Sequence, residues 1–180
     1  PDGEIGITMQ RDTSKTGQDI KLIPLNPILP FSKEMGRDLN SNNSDTSPKI
    51  AVFGVGALGS QIVFNMVRAG YGNWLIIDRD VLLPHNLARH ALFGQFVGQS
   101  KAKAVSETIK IMLNEANCAE DIIIDLLSEA SGSEKYNYLI QKLDEADIII
   151  DMTTSNAFLK YLSRNNDIRK RIISAFLNPS

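Results

Sequence analysis

The chain has 180 residues, 43% of them apolar and 22% charged, with a formal charge of -2. This is an ordinary globular composition, long enough for one domain with a proper core but not comfortably for two. The charge balance gives no reason to expect nucleic acid as a partner, and no apolar run approaches the ~18 residues of a membrane helix. Cys118, the single cysteine, excludes an internal disulfide and fits a reducing, cytoplasmic setting.

Residues 1–48 read as an extended N-terminal segment followed by a flexible linker. Asp2 to Asp19 is polar and has no sustained period. Ile20 to Phe31 is apolar, but Pro24, Pro27 and Pro30 exclude a regular helix or a central strand, so the stretch is expected to lie extended across another surface. Asn40 to Pro48 has the composition of a polar linker, and the domain boundary is set at its end. The chain begins at Pro1 and stops just after a strand-like run. It therefore reads as a piece of a larger polypeptide, with residues 49–180 an incomplete nucleotide-binding domain.

From Lys49 onward strand and helix patterns alternate. Strands are expected at Lys49–Phe53, Trp74–Asp78, Asp121–Leu127, Ala146–Asp151 and Ile172–Phe176. Helices are expected at Ala57–Gly70 and Ser100–Asn117, where apolar residues recur on one face, and at Glu134–Glu145 and Ser155–Asn165. This alternation predicts an α/β, Rossmann-like, doubly wound and mainly parallel sheet with helices on both faces, truncated at its C-terminus.

The first strand runs into Gly54, Gly56 and Gly59 in GxGxxG spacing. The first glycine permits the tight turn, the second lets phosphate oxygens approach the backbone, and the third lets the helix pack closely on the sheet. A glycine turn that merely packs well is the plainer alternative. The strand before, the helix after and Asp78 at the end of the next strand supply the context that a nucleotide site requires. Asp78 is placed to accept hydrogen bonds from both ribose hydroxyls. Asp80 is expected either beside it or in a turn-stabilising role.

A dehydrogenase needs little after the ribose acid except the next crossover helix. This chain has DRDVLLPHNLARHALFGQFVGQSKAKA there. Asn86, Arg89 and Lys101 are donors suited to charge developing on a triphosphate during displacement at the α-phosphorus. Lys101 stands near the start of a helix, where the dipole disfavours a cation, so an anion is expected beside it. Each cation alone is more often a solvated surface residue.

With these residues in this order, the chain resembles the ThiF/MoeB/HesA superfamily, which includes the ubiquitin-activating enzymes. The pattern is matched by Gly54–Gly59, Asp78 and Asp80, Asn86-Leu87-Ala88-Arg89, and Val97-Gly98-Gln99-Ser100-Lys101-Ala102. The resemblance covers about residues 49–176. It implies that ATP and Mg²⁺ bind and that the C-terminal carboxylate of a ubiquitin-like or sulfur-carrier protein, ending in glycine, becomes an acyl-adenylate. It implies that Asp78 holds ribose and that Asn86, Arg89 and Lys101 contact phosphates or the attacked centre. It also implies a homodimer or pseudo-dimer, in which Arg11 or Arg37 could reach a partner's site.

The chain departs from the family after the fourth strand. The family's metal motif resembles Asp-x-Thr-Asp-Asn, and here Thr154 replaces the second acid. Asp151 is the candidate Mg²⁺ ligand, with Asp80 as an alternative, and threonine alone is a poor ligand for a hard dication. A strand-end residue capping the following helix is an equal reading of Asp151. Cys118 reads as a packing residue, and His85 and His90 do not make a metal site. Two alternatives stay open: an NAD(P)-dependent oxidoreductase, and a non-catalytic scaffold half of a two-part activating enzyme.

Overall fold

The computed structural model describes residues 23–42 and 46–177. Five strands form one sheet: β1 (Lys49–Phe53), β2 (Asn73–Ile77), β3 (Ala119–Ile122), β4 (Ile148–Asp151) and β5 (Ile172–Ser174). All neighbouring pairs are parallel, in the order β3-β2-β1-β4-β5. Among the described residues five α-helices accompany them: α1 (Lys33–Leu39), α2 (Ala57–Arg68), α3 (Lys101–Leu113), α4 (Glu134–Glu145) and α5 (Asn156–Arg164).

Alternation along β1 decides which face each helix covers. Ile50 and Val52 pack with Val63, Phe64 and Val67 of α2 and with Val105 and Ile109 of α3. Ala51 and Phe53 pack on the opposite face with Leu139 and Leu143 of α4 and with Phe158 and Leu162 of α5. The sheet is therefore doubly wound. Its strand order reverses direction between β1 and β4, and the crevice at the carboxyl ends of such a pair is where α/β sheets bind ligands.

Two expectations are corrected. Lys33–Leu39, inside the segment expected to be extended, form α1. Ser32 caps it by accepting from Met35 N–H at 3.2 Å. Its attachment is by close backbone approach. A Cβ on Gly36 would meet Arg68 O at 2.8 Å, and one on Gly70 would meet Lys33 O at 2.2 Å. Such contacts leave no apolar stripe to read. Lys33 is buried against Asn73 and Glu115. The preceding residues 23–32 carry no helix or strand, and Ile23, Leu25, Ile28 and Leu29 are exposed.

The second correction is β3, which begins at Ala119 and ends at Ile122 rather than covering Asp121–Leu127. β2 supplies ladder partners only up to Ile77, opposite Ile122. Beyond that point the apolar run turns over the end of the sheet, burying Ile124 and Leu126. The segments Asp2–Asp19 and residues 43–45 of the expected linker lie outside the described residues. Among the described residues no helix is long and apolar enough to cross a membrane.

Candidate functional site

A cleft of about 490 Å³ opens at the carboxyl ends of the strands, lined by the glycine loop, the Asp78–Asp80 turn, Arg89, the 124–127 segment and the 152–155 turn. Gly54 takes φ +84°, and a Cβ there would lie 2.9 Å from the backbone of Met152 and Thr153. Gly59 meets Gly54 O so closely that a Cβ would sit 2.2 Å from it, which locks α2 onto the loop. Gly56 is different, because a Cβ on it would meet nothing within 4 Å. It is the N-cap of α2, and no side chain caps the helix. Among the described residues the first N–H groups of α2 therefore lack a side-chain acceptor at the end of the helix where the dipole favours an anion.

Asp78 is held by two backbone donors. Val55 N–H donates to Oδ2 at 2.8 Å and Asp80 N–H donates to Oδ1 at 2.8 Å. Each oxygen keeps a further lone pair for a ligand hydroxyl. Burial, the largest influence, raises the Asp78 pKa above the ordinary aspartate value; these N–H donors oppose it.

The crossover between β2 and α3 is a closed loop. Leu82 N–H donates to Gln99 O at 2.8 Å, Gly98 N–H to Leu82 O at 2.9 Å and Lys101 N–H to Asp80 O at 2.9 Å. Leu82 and Leu92 anchor it in the core. Arg89 is exposed, lines the cleft and has no carboxylate within ion-pair distance among the described residues. Asn86 lies outside the cleft lining, with Oδ1 accepting from Leu83 N–H at 2.9 Å within a 3₁₀ turn.

Lys101 also lies outside the lining. It is 8% exposed, and its Nζ is 2.9 Å from Asp80 Oδ2. The anion expected beside this cation is thus the protein's own Asp80. Asp151 is 5% exposed. Its Oδ1 accepts from Thr153 N–H at 2.9 Å and Thr153 Oγ1 at 2.7 Å. Ser155, not Asp151, caps α5. Thr154 lines the cleft at φ +57°, a strained conformation for a β-branched residue. Cys118 is buried, and burial pushes its thiol pKa up, which suits a packing role rather than a nucleophile.

Residues 34–165 match the model of the ThiF family. The chain belongs to the ThiF family.

This ThiF-family chain is 34% identical over 121 residues to the ATP-dependent ubiquitin transferase-like protein Cap2 of Enterobacter hormaechei subsp. hoffmannii, covering 67% of the chain and 19% of that protein. It is 42% identical over 100 residues to SUMO-activating enzyme subunit 2 of Dictyostelium discoideum, covering 53% of the chain and 15% of that protein. It thus spans under a fifth of either curated relative. The solved structure of E. coli tRNA N6-threonylcarbamoyladenosine dehydratase, TcdA, in complex with AMP has a TM-score of 0.56 at 21% identity, over 78% of this chain and 53% of that one. That likeness speaks to the fold alone.

Several cleft residues of this ThiF-family chain have no signal in the motif. Arg79 lines the cleft and pairs with Asp125 across the ends of β2 and β3. Ile124, Leu126 and Phe158 form an apolar wall. The acid-rich DRD triplet could have flagged Arg79. Nothing local points to Asp125, whose role exists only once β3 lies beside β2.

Proposed function

We propose that this chain is the nucleotide half of an ATP-dependent adenylyltransferase. It would join the C-terminal carboxylate of a ubiquitin-like or sulfur-carrier protein to the α-phosphoryl group of ATP and release pyrophosphate. One observation carries this reading: the start of α2, which no side chain caps among the described residues, the Asp78 carboxylate and Arg89, which has no ion-pair partner among the described residues, converge on one cleft. Membership of the ThiF family supports it. So do the printed names of relatives, which are ATP-dependent and ubiquitin-transferase-like or SUMO-activating.

In this reading the glycine loop and the start of α2 receive phosphates, Asp78 receives ribose, and Arg89 faces the attacked centre. The apolar wall offers a surface for the base. Asn86 and Lys101 act by shaping the Arg89 loop and the Asp78–Asp80 turn, and reach phosphate only if their present bonds are exchanged. A magnesium ion brought with ATP keeps most of its waters and phosphate ligands and needs one or two carboxylates. Asp80 faces the cleft and could serve through Oδ1 while its Oδ2 stays on Lys101, whereas Asp151 lies outside the cleft lining with its Oδ1 engaged by Thr153. A homodimer or pseudo-dimer would complete the site. Arg37 is held by Glu34 within α1, and Arg11 lies outside the described residues. A cytoplasmic setting remains part of the proposal.

The test is ATP–pyrophosphate exchange by the full-length protein with a glycine-ended ubiquitin-like protein. Arg89→Ala is expected to lower exchange about a hundredfold or more with an unchanged melting curve. Unchanged exchange would remove Arg89 from the site. Calorimetric binding of NAD without ATP would instead select the oxidoreductase. The scaffold reading is favoured by Thr154 and by the Lys101–Asp80 pair, and ATP binding without any exchange would select it.

A further inference from the structure

His90 links parts of the cleft that the roles above leave separate. The residue is 7% exposed. Nε2 lies 2.7 Å from the Val55 carbonyl, and Nδ1 accepts from Leu92 N–H at 3.1 Å. A carbonyl at Nε2 and an N–H at Nδ1 fit one form of the ring: neutral, with its proton on Nε2. Val55 stands between Gly54 and Gly56, and its own N–H holds Asp78 Oδ2 at 2.8 Å. Arg89 immediately precedes His90. The next residue, Ala91, donates its N–H to Ser60 Oγ of α2 at 3.1 Å. A single buried ring thus ties the Arg89 loop to the glycine loop and, through Val55, to the ribose carboxylate.

We propose that neutral His90 is a positioning residue of the nucleotide site, setting Arg89 against the glycine loop through its paired bonds to Val55 and Leu92. This rests on the adenylation reading above. His90 touches neither substrate nor reacting atoms in this role. Protonation would put an N–H on Nδ1 opposite the Leu92 N–H and replace a bond with a donor–donor contact. The charged groups acting on the ring are Lys101 of α3 and Asp78 at the end of β2. Burial is the largest influence and lowers the His90 pKa. The Val55 bond and Asp78 oppose it, and Lys101 acts with it. The ring is therefore neutral at neutral pH, and the lock opens only on acidification.

The test compares the full-length protein with His90→Gln and His90→Leu. Glutamine can bring an amide N–H near the Nε2 position and still donate to Val55, whereas leucine fills the space and donates nothing. Amide hydrogen exchange across residues 89–92, without nucleotide, should accelerate about tenfold or more in the leucine variant and stay within about threefold of wild type in the glutamine variant. At saturating ATP, pyrophosphate exchange should fall about tenfold or more with leucine and recover to within about threefold with glutamine. On acidification below about pH 6.5 the wild type should lose exchange protection at residues 89–92, and the glutamine variant should keep it. Should the leucine variant not fold, that pH comparison decides without it. Wild-type protection in the leucine variant, a glutamine variant as impaired as leucine, or the same acid response in both proteins would overturn the proposal. If the wild type neither binds nor turns over ATP, the adenylation reading falls, while the nucleotide-free exchange still decides whether His90 joins the two loops.

Discussion

Gly59→Ala and Gly56→Ala add the same methyl group three residues apart, and the first should mainly lower stability, the second mainly ATP affinity. At Gly59 the new carbon lands 2.2 Å from Gly54 O and 3.4 Å from Met152 Cε. The methionine end can move. The carbonyl cannot move freely, because Gly54 is held at φ +84° against the backbone of Met152 and Thr153. Overpacking against backbone belongs at the upper end of the usual ~1–3 kcal/mol, offset by the ~1 kcal/mol helix preference of alanine over glycine. The net loss is about 1–2 kcal/mol, a fall in Tm of roughly 2–8 °C for a chain of this size. At Gly56 the methyl group meets nothing within 4 Å, so only the poorer N-cap residue counts, about 1 kcal/mol at most. In the proposed site that methyl group occupies the space of a phosphate, so ATP affinity should fall about tenfold or more, equivalent to ~1.4 kcal/mol. Thermal unfolding without ligand and calorimetric ATP titration of both full-length variants measure the two quantities. Gly56→Ala binding ATP as wild type does, or unfolding well below Gly59→Ala, would refute the assignment of the open face of Gly56 to phosphate.

The remaining predictions concern charge and strain. Asp80→Ala leaves the Lys101 ammonium, with a side chain 9% exposed, without its carboxylate and should cost about 1–3 kcal/mol in urea denaturation. Lys101→Met removes the charge as well and should cost clearly less, and equal losses would mean that the pair does not hold the turn. Thr154→Asn should stabilise the chain by about 0.5–1 kcal/mol, because asparagine tolerates the φ +57° that threonine occupies at a cost. An unchanged or lower Tm would count against the strain. Burial raises the Asp78 pKa, so the folded chain binds this proton more tightly than the unfolded one. Its contribution to stability is therefore full below the unfolded pKa of about 3.9 and lost as pH rises through the folded value. ATP affinity runs the other way, falling on acidification at a higher pH than an exposed aspartate would set, as carboxyl NMR and calorimetry can check. Cys118 should resist alkylation in the native protein and react only on unfolding, since burial keeps its thiol protonated.

Legibility in the sequence followed the range of the interactions. Helix periodicity locates α2 and α3 to within a few residues at each end, because an amphipathic face is written every three or four positions. The glycine spacing located the loop, since each glycine answers a local backbone demand. The α1 helix was not legible because it is held by backbone contacts between Gly36, Arg68 and Gly70, which leave no pattern of apolar side chains. The end of β3 is not legible because Ile124 and Leu126 are apolar for the sake of the cleft wall rather than the ladder.

By itself the sequence determined the alternating α/β order, the strand–glycine–helix junction at Gly54–Gly59 and the presence of an Asn86, Arg89 and Lys101 series behind it. Only the tertiary structure decided which members of that series face the cleft. Arg89 is left facing it without an ion-pair partner among the described residues, whereas Lys101 is claimed by Asp80 and Asn86 by its own turn. The physical reason is competition. A cation's partner is whichever acceptor the fold brings within about 3–4 Å, and spacing along the chain does not contain that distance.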